Sequence, residues 1–512
     1  MQANTLIKPA RQNGGRAFNL AMRALKRRLC PLIILALLTG AVSADDGLDW
    51  HLRALLSDSF LANAQIGLSI YDITAKEPLF SHNDTLLFNP ASNLKLFTSA
   101  AALELLGPSY RFRTRIMCRD KIENGRLAGD LVLVGGGDPL VSGRFRSHIT
   151  EVFESWADSL IARGISRIDG GIVIDNSFFT GPSLGAGWSW DDLTYWYACP
   201  LSALSFNDNC VDLKFLPGPT IGSPALIECD PNIGYITSHN MAYTLPPESS
   251  FTLDYYRIPY TNDVTFFGGI PISDTAGEID YVSVHRPEIY AATVFGSVLT
   301  RKGVDLIGRI TAIDDLEISR RADYSRPNLI SLFTWESDTL GVVVKVIDTN
   351  SQNFFAEQTL LTLGAEKAGE GSFKAGLRII TAFLDSIGIG PNDLSMYDGS
   401  GLSYINAVKP RAVVDLLRYM SARPNFETYY QSLGNPAVDR SVRGRLDGIA
   451  GRERIRAKTG HIAGVSTLSG YMRGSKENHL IAFSIMINNY TCPRAHCEAW
   501  EDKIVASLLE VY

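Results

Sequence analysis

Apolar residues recur along this 512-residue chain with two spacings, one typical of strands and one typical of helices. Alternating apolar residues between glycine- and proline-rich turns predict short strands. These strands are predicted at residues 65–71, 131–134, 171–174, 211–215, 464–472 and 481–488. Wider, helical spacing predicts helices near residues 147–163, 287–302 and 339–364, and from about 498 onward. The pattern is typical of a mixed α/β (α+β) protein whose central part is rich in β-structure.

Another predicted helix carries the first candidate for chemistry. Asn89 can cap it, and Pro90 suits the first helical position, because that position needs no backbone donor. The helix is predicted to end at residues 107–108, and its apolar face is formed by Leu94, Phe97, Ala101 and Leu105. Ser92 therefore falls in the first turn, where backbone N–H groups are unpaired and the helix dipole is positive.

Composition and charge narrow the class of protein. The chain is 46% hydrophobic and 20% charged, which indicates a globular protein. Its 48 basic and 54 acidic residues give a net charge of −6, but residues 1–44 hold seven of the basic residues and no acidic ones. The remainder has 41 basic against 54 acidic residues, a net charge of −13. This acidic body excludes a whole-surface footprint for nucleic acid.

The basic first segment resembles a secretory signal. Basic residues at 23–28 precede an apolar run at 29–38 and the small residues Val42-Ser43-Ala44. Because an apolar stretch of roughly 14 residues is too short to span a bilayer, we expect cleavage near Ala44 and no integral span in the mature chain. The expected location is the periplasm or cell envelope. Translation starts at Met1 or at Met22.

Six cysteines follow the predicted cleavage site, and an even number in an exported protein favours disulfides. The pairs that are close in sequence are Cys492–Cys497 and Cys199–Cys210. His496 lies beside Cys497, which raises metal binding as an alternative. No metal-ligand spacing supports it, so we expect neither a metal nor a cofactor.

Three short motifs indicate serine chemistry. They are Ser92-x-x-Lys95, Ser351-Gln352-Asn353 and Lys458-Thr459-Gly460. Each is common alone, but this set in this order is the signature of active-site serine β-lactamases and penicillin-binding proteins. Within the first motif the serine needs a base, and a desolvated lysine one helical turn away can act as one.

A rival serine motif is present as well. Residues 181–185 match the GxSxG pattern around Ser183, which in a nucleophile elbow lies between a strand and a helix. The surrounding sequence is rich in turn residues, so a surface loop is favoured and a Ser/His/Asp hydrolase ranks below the Ser/Lys enzyme.

Over nearly all of its mature length the chain resembles the class C low-molecular-mass penicillin-binding proteins, which are serine D-alanyl-D-alanine carboxypeptidases and endopeptidases. The Asp-Gly-Ser-Gly-Leu-Ser segment and the long insert are specific to this family. The matching segments are residues 90–95, 136–139, 175–179, 187–192, 209–210, 351–357, 398–403 and 457–460.

Ser92 and Ser351 lie 259 positions apart, which predicts that an insert leaves the catalytic domain and returns to it. The resemblance implies a transpeptidase-like catalytic domain, with an antiparallel sheet between helices, that is interrupted by two nested β-rich insert domains. We place the catalytic domain at residues 45–110 and 285–512. Insert domain II is predicted at residues 111–136 and 205–284, and nested domain III at 137–204.

The resemblance also implies roles for the motif residues. Ser92 attacks the carbonyl of the penultimate D-alanine, Lys95 takes its proton, and Ser351 passes a proton to the leaving D-alanine. Asn353 binds the substrate amide. The other substrate-binding positions are Lys458, Thr459, Gly460 and His461. The expected partners are peptidoglycan stem peptides and, as covalent inhibitors, β-lactams.

Among these positions, Lys458 supplies positive potential and Thr459 binds the terminal carboxylate. The backbone N–H groups of Ser92 and His461 hold the oxyanion. The family usually has a small residue where this chain has His461, whose ring can narrow the cleft. Asp192 resembles the acidic residue that meets the free amine of diaminopimelate, although a turn-capping role is an equal alternative.

Asp138 is predicted to be a turn residue rather than a ligand. Two other functions stay open at this point. The first is a serine β-lactamase, although no Glu-x-x-Leu-Asn-like loop is present between Ser351 and Lys458. The second is a cell-wall-binding scaffold with a weak or inactive site, which the intact catalytic motifs disfavour.

Overall fold

A computed structural model describes residues 44–439, 442, 444–476 and 478–512 of the chain. The predicted leader, residues 1–44, lies outside the described residues except for Ala44. The α-helices are Ala44–Leu55, Lys95–Leu105, Glu151–Ile161, Pro287–Arg301, Ile318–Arg321, Leu340–Thr349, Asn353–Ala368, Phe373–Ser386, Pro410–Ser421, Phe426–Ser432 and Arg494–Val511. None of the helices in this part of the chain is long and apolar enough to cross a membrane.

A five-stranded antiparallel sheet, here called the central sheet, forms the core of the catalytic part. Its strands, in spatial order, are Glu77–His82, Gln65–Asp72, Leu480–Asn488, Val465–Arg473 and Ile455–Ile462. The terminal helices Ala44–Leu55 and Arg494–Val511 pack on one face. The helices that follow Ser92 and Ser351 belong to the core on the other face. The expected antiparallel sheet with helices on both sides is therefore confirmed.

The edge strand of this sheet, Ile455–Ile462, is not among the strands that the sequence predicts. It contains Lys458-Thr459-Gly460. The turn lies at Gly464, whose φ of +72° is the left-handed conformation that glycine tolerates best. The cleft is thus bordered by an extended strand.

The predicted helix at 339–364 is two helices. Leu340–Thr349 ends before Ser351, and Asn353–Ala368 begins after it. Ser351 itself has a φ of +56°, which is incompatible with a continuous right-handed helix. The break therefore exposes the Ser351 side chain to the cleft instead of leaving it on a helix face.

A second five-stranded sheet, here called the insert sheet, is mixed. Its strands are Ile310–Ala312, Ile172–Asp175, Leu131–Val134, Arg111–Cys118 and Ile330–Thr339. Leu131–Val134 pairs in parallel with Ile172–Asp175, and the connection between them contains the helix Glu151–Ile161. This βαβ unit packs in one core with the helix Pro287–Arg301.

The insert sheet groups the chain differently from the predicted borders. The border at residue 136 cuts through the βαβ unit, and the border at 284 separates the insert sheet from two of its own strands, Ile310–Ala312 and Ile330–Thr339. Pairing between strands that are distant in sequence has no local signal, so the borders predicted from the sequence do not follow this sheet. The domain limits remain a prediction, and the sheet favours an outer insert that ends near residue 339.

The remaining β-rich segment spans residues 210–283. One sheet holds Leu226–Asp230, Cys210–Leu216 and Glu278–Ser283, and another holds Thr237–Asn240, Asp263–Phe267 and Asp254–Arg257. The smaller sheets of the molecule are Tyr243–Leu245 with Gly269–Pro271, Leu394–Ser395 with Ala407–Val408, and Asp305–Leu306 with Arg167–Ile168, Arg126–Leu127 and Ile122–Glu123. The segment 210–283 shares its hydrophobic core with the insert sheet.

Candidate active site

Ser92 lies in a 3₁₀ turn, Ala91–Leu94, that leads directly into the helix Lys95–Leu105. The Asn89 side chain accepts a hydrogen bond from the Ala91 N–H at 2.8 Å. Pro90 occupies the N-cap position of the turn, so the prediction of a helix that Asn89 caps and Pro90 begins is wrong, and the α-helix starts at Lys95. Ala91 has a φ of +43°, an unfavourable conformation for a residue other than glycine. Strained backbone of this kind is concentrated at functional sites.

Lys95 is completely buried, and its Nζ lies 2.8 Å from Ser92 Oγ. The same nitrogen donates to Asn353 Oδ1 at 2.6 Å and to the Ser400 carbonyl at 2.7 Å. Desolvation lowers the pKa of Lys95 to about 8, against the opposing effect of nearby carboxylates. A substantial fraction of Lys95 is therefore neutral near physiological pH, which a base for Ser92 requires.

A second lysine faces the other serine of the site. Lys458 Nζ donates to Ser351 Oγ at 2.8 Å and to the Thr459 carbonyl at 2.7 Å. Lys458 is buried, and desolvation, together with the charge of Lys95, lowers its pKa. The three predicted motifs thus meet in one place, although Ser351 and Lys458 are 107 residues apart in the chain.

Gly460 allows the edge strand to approach Ser92. A Cβ at this position would lie 2.3 Å from Thr467 Oγ1 and 2.9 Å from the Ser92 nitrogen. Both distances are shorter than van der Waals contact, so only glycine fits without a shift. Thr459, next to it, is half-buried at the border of the cleft.

The N–H of His461 points to the free edge of the strand. The Ala457 N–H donates to the Gly434 carbonyl across that edge, and residues two and four positions further along a strand point the same way. The His461 ring is directed elsewhere, because Nδ1 donates to the Val465 carbonyl at 3.0 Å and lies 3.4 Å from the Tyr490 hydroxyl. Desolvation of this ring lowers its pKa, so His461 is neutral at pH 7.

Asp192 comes from the insert and begins a short 3₁₀ turn, Asp192–Thr194. The Tyr197 hydroxyl donates to its Oδ1 at 3.0 Å. Burial raises the pKa of Asp192, and the neighbouring Asp191 adds to this effect. Tyr197 also reaches the catalytic motifs, since its carbonyl accepts a hydrogen bond from Asn353 Nδ2 at 2.8 Å.

The sequence predicts no role for Glu357, a carboxylate that holds the loop behind Lys95. Glu357 accepts hydrogen bonds from the Gly399 and Ser400 N–H groups, both at 2.8 Å, and so places the Ser400 carbonyl beside Lys95. Burial and Asp398 raise the pKa of Glu357 to about 8. The available signal for this role is a glutamate four residues after Asn353, beside the apolar Phe354, Phe355 and Ala356.

Asp348 is a second buried carboxylate for which the sequence predicts no role. Asp348 accepts from Ser99 Oγ at 3.1 Å and from Ser432 Oγ at 2.7 Å. Burial raises its pKa to about 6, while Lys458 and Lys95 act in the opposite direction. Asp348 is thus a counter-charge near both lysines of the site.

The other candidates from the sequence lie away from this cluster. Ser183 is in a loop, without the strand and helix that an elbow requires. Asp138 accepts from the Leu140 N–H at 2.9 Å, as a turn residue does. The sulfur atoms of Cys492 and Cys497 lie 3.6 Å apart as thiols, and Cys199 contacts Cys210. The disulfides remain a prediction.

Comparison with known proteins assigns this arrangement to a family. A D-alanyl-D-alanine carboxypeptidase of Actinomadura sp. (strain R39) is 30% identical, over 98% of this chain and 92% of that protein. The carboxypeptidase DacB of Haemophilus influenzae is 24% identical over 85% and 88% of the two chains. The crystal structure of penicillin-binding protein 4 (dacB) from H. influenzae matches with a TM-score of 0.77 and 23% identity, over 90% of this chain and 99% of that chain.

The structural match shows that the two proteins share a fold. The sequence profile of the D-Ala-D-Ala carboxypeptidase 3 (S13) family matches residues 48–509, which is almost the whole described chain. The chain therefore belongs to this family of serine D-alanyl-D-alanine carboxypeptidases.

Proposed function

We propose that Ser92 is the nucleophile of a D-alanyl-D-alanine carboxypeptidase that forms an acyl-enzyme with peptidoglycan stem peptides. The observation that carries this proposal is the 2.8 Å contact between Ser92 Oγ and the buried amine of Lys95, whose pKa is lowered to about 8. The neutral amine takes the hydroxyl proton while Oγ attacks the carbonyl of the penultimate D-alanine. Water then hydrolyses the ester.

Ser351 and Lys458 act on the leaving group. As the tetrahedral intermediate collapses, the departing D-alanine nitrogen needs a proton, and Ser351 Oγ passes one to it. The Ser351 hydroxyl accepts a hydrogen bond from Lys458 Nζ at 2.8 Å, which leaves its own proton free to be donated. Asn353, held by Lys95 and by the Tyr197 carbonyl, offers its amide to the substrate backbone.

The edge strand binds the carbonyl and the carboxylate of the substrate. The backbone N–H groups of Ser92 and His461 form the oxyanion hole, supported by the position of His461 on the free edge. Thr459 donates to the terminal carboxylate. Binding of this anion favours the charged form of Lys458, which burial alone disfavours, so Lys458 supplies positive potential when substrate is bound. Gly460 keeps the strand close enough to Ser92 for these contacts.

We further propose endopeptidase activity on D-alanyl–diaminopimelate cross-bridges. Asp192 borders the same cleft through Tyr197, and its pKa is raised by burial, so an ammonium group of the substrate would gain from pairing with it. A turn-capping aspartate remains the alternative. Substitution of Asp192 by Asn separates the two roles, because only the first predicts a specific loss on substrates with a free amine.

β-Lactams should acylate Ser92 as well, since their strained amide resembles the acyl-D-alanyl-D-alanine end of the substrate. The H. influenzae penicillin-binding protein 4 has been crystallised with a β-lactam. Slow release of the adduct would distinguish a carboxypeptidase from the β-lactamase alternative, which the comparisons do not favour.

The place of action that fits this substrate is the cell envelope, on the outer side of the cytoplasmic membrane. The basic and apolar leader supports export with cleavage near Ala44. N-terminal sequencing of the protein recovered from cells tests this: a start at Asp45 supports cleavage, and an intact leader contradicts it.

Defined muropeptides test the activity directly. Monomeric pentapeptides should lose their terminal D-alanine, and cross-linked dimers should be opened, with the products identified by mass spectrometry. Ser92→Ala should release nothing from either substrate. Correctly folded wild-type protein that leaves both substrates intact would support the scaffold alternative and contradict the proposed function.

A further inference from the structure

The residue between Ser351 and Asn353 connects the catalytic motif to the insert. Gln352 is buried, and its Nε2 donates to Asp208 Oδ2 at 3.0 Å. Asp208 lies 144 positions earlier in the chain, next to the strand Cys210–Leu216. The insert therefore touches the Ser351-Gln352-Asn353 motif at its middle residue.

Asp208 is held by an ion pair within the insert. Arg144 Nε donates to Asp208 Oδ2 at 2.6 Å, and the aspartate side chain is only 2% exposed. Arg144 also packs over the Tyr281 ring, whose centroid is 4.0 Å from Cζ, and its Nη2 lies 3.2 Å from Asp212. Since a buried carboxylate is costly without partners, this position of Asp208 is strongly specified.

The backbone around Asp208 is also unusual. Asn207, Asp208 and Asn209 have φ values of +49°, +55° and +57°, and all three are buried. Three successive left-handed residues other than glycine are unfavourable and persist only where the surroundings fix them. The side chain of Asn209 provides one contact that fixes this backbone, because its Nδ2 donates to the Pro200 carbonyl at 2.8 Å.

Ser351 needs such support from outside its own segment. It lies in the break between two helices with a φ of +56°, a conformation that the helices on either side do not impose. Its neighbour Asn353 is oriented by Lys95 and Tyr197, and Gln352 by Asp208. The Asp208 contact therefore acts on the peptide unit adjacent to Ser351.

We propose that Asp208 is a positioning residue for the reaction: it holds Gln352, and through it the left-handed backbone that places Ser351 Oγ beside Lys458. The inference rests on the proposed function of Ser351. This proposal assigns part of the insert a role in the reaction, although Asp208 does not contact the substrate. Asp212 offers a matched comparison, because it pairs with the same arginine but accepts its other hydrogen bond from Asn207 and not from Gln352.

The test compares Asp208→Asn, Gln352→Met and the double variant with Asp212→Asn as the control. Asparagine retains the shape of Asp208 and tolerates its left-handed φ, while methionine retains the length of Gln352 without its amide. We expect kcat for D-alanine release to fall by about tenfold in each single variant, with KM little changed. The double variant should lose no more than either single variant, because both remove the same contact. Asp212→Asn should stay within about twofold of the wild type.

Thermal unfolding shows whether each variant is folded, and penicillin acylation of the wild type is measured in parallel. Folded Asp208→Asn with an unchanged kcat would overturn the inference. So would equal losses in Asp208→Asn and Asp212→Asn, or losses that multiply in the double variant, since both point to a general structural effect. A wild type that is neither acylated nor active would overturn the proposed function, and this inference with it.

Discussion

Burial of the Lys95 amine predicts how the rate of the enzyme depends on pH. Its pKa is lowered to about 8 because desolvation disfavours the charged form. Below that pH the ammonium form predominates and cannot take the Ser92 proton. The acylation rate constant for a penicillin should therefore rise with pH through about 8 and then level off.

Stopped-flow acylation between pH 6 and pH 10 checks this prediction. Lys95→Met should abolish acylation at every pH, while Lys345→Met, at an exposed helix position, should preserve the profile. A flat pH profile in the wild type would contradict the role of Lys95 as the base.

The short distances around Gly460 predict the effect of adding a side chain there. Gly460→Ala places a Cβ 2.3 Å from Thr467 Oγ1, which donates to the Pro90 carbonyl just before the Ser92 turn. Either this hydrogen bond breaks or the edge strand moves away, and we expect acylation to slow by about tenfold or more. Gly341→Ala is the control, because its Cβ would meet nothing nearer than 3.5 Å. Equal acylation rates in the two variants would contradict the tight approach.

Among the structural elements, the helix Arg494–Val511 carries a candidate disulfide at its start. Cys492 lies just before this helix and Cys497 lies in its first turn. Their sulfur atoms are 3.6 Å apart, so a small movement suffices to form a disulfide in an oxidising compartment. In protein recovered from the cell envelope and then denatured, so that every cysteine is accessible, Cys492 and Cys497 should resist alkylation until a reductant is added. Cys118, whose sulfur donates to the Asp120 carbonyl, should remain a thiol and serves as the comparison. Alkylation of Cys492 without reductant would contradict the prediction.

Elements with a local signal could be predicted from the sequence, and those that depend on distant pairing could not. The helix Lys95–Leu105 follows from its apolar spacing, and the strands Val465–Arg473 and Leu480–Asn488 follow from short runs that are mostly apolar. The break at Ser351 has no such signal, because it is fixed by contacts with Lys458 and with the insert. The same holds for Glu357, whose partners in the 399–400 loop are more than 40 positions away.

For the molecule as a whole, the sequence predicts that the three motifs meet, and the contacts Lys95–Asn353 and Lys458–Ser351 bring them together. It does not reveal which strands pair in the insert sheet. The insert sheet recruits Ile310–Ala312 and Ile330–Thr339 from beyond the predicted border, since a strand's partner is decided by the assembled sheet. The insert also contacts the site through Asp208, Tyr197 and Trp188, whose Nε1 donates to Asp398 at 3.0 Å. The long insert is therefore part of the environment in which the chemistry takes place.

We propose that a penicillin acylates a single serine, Ser92, and that Lys95 activates it. Incubation with a penicillin, followed by intact-protein mass spectrometry and peptide mapping, tests it most directly. We predict one adduct per chain, on the peptide that contains Ser92, and none in Ser92→Ala. An adduct that persists in Ser92→Ala, or that maps to Ser183 or any other residue, would contradict the account.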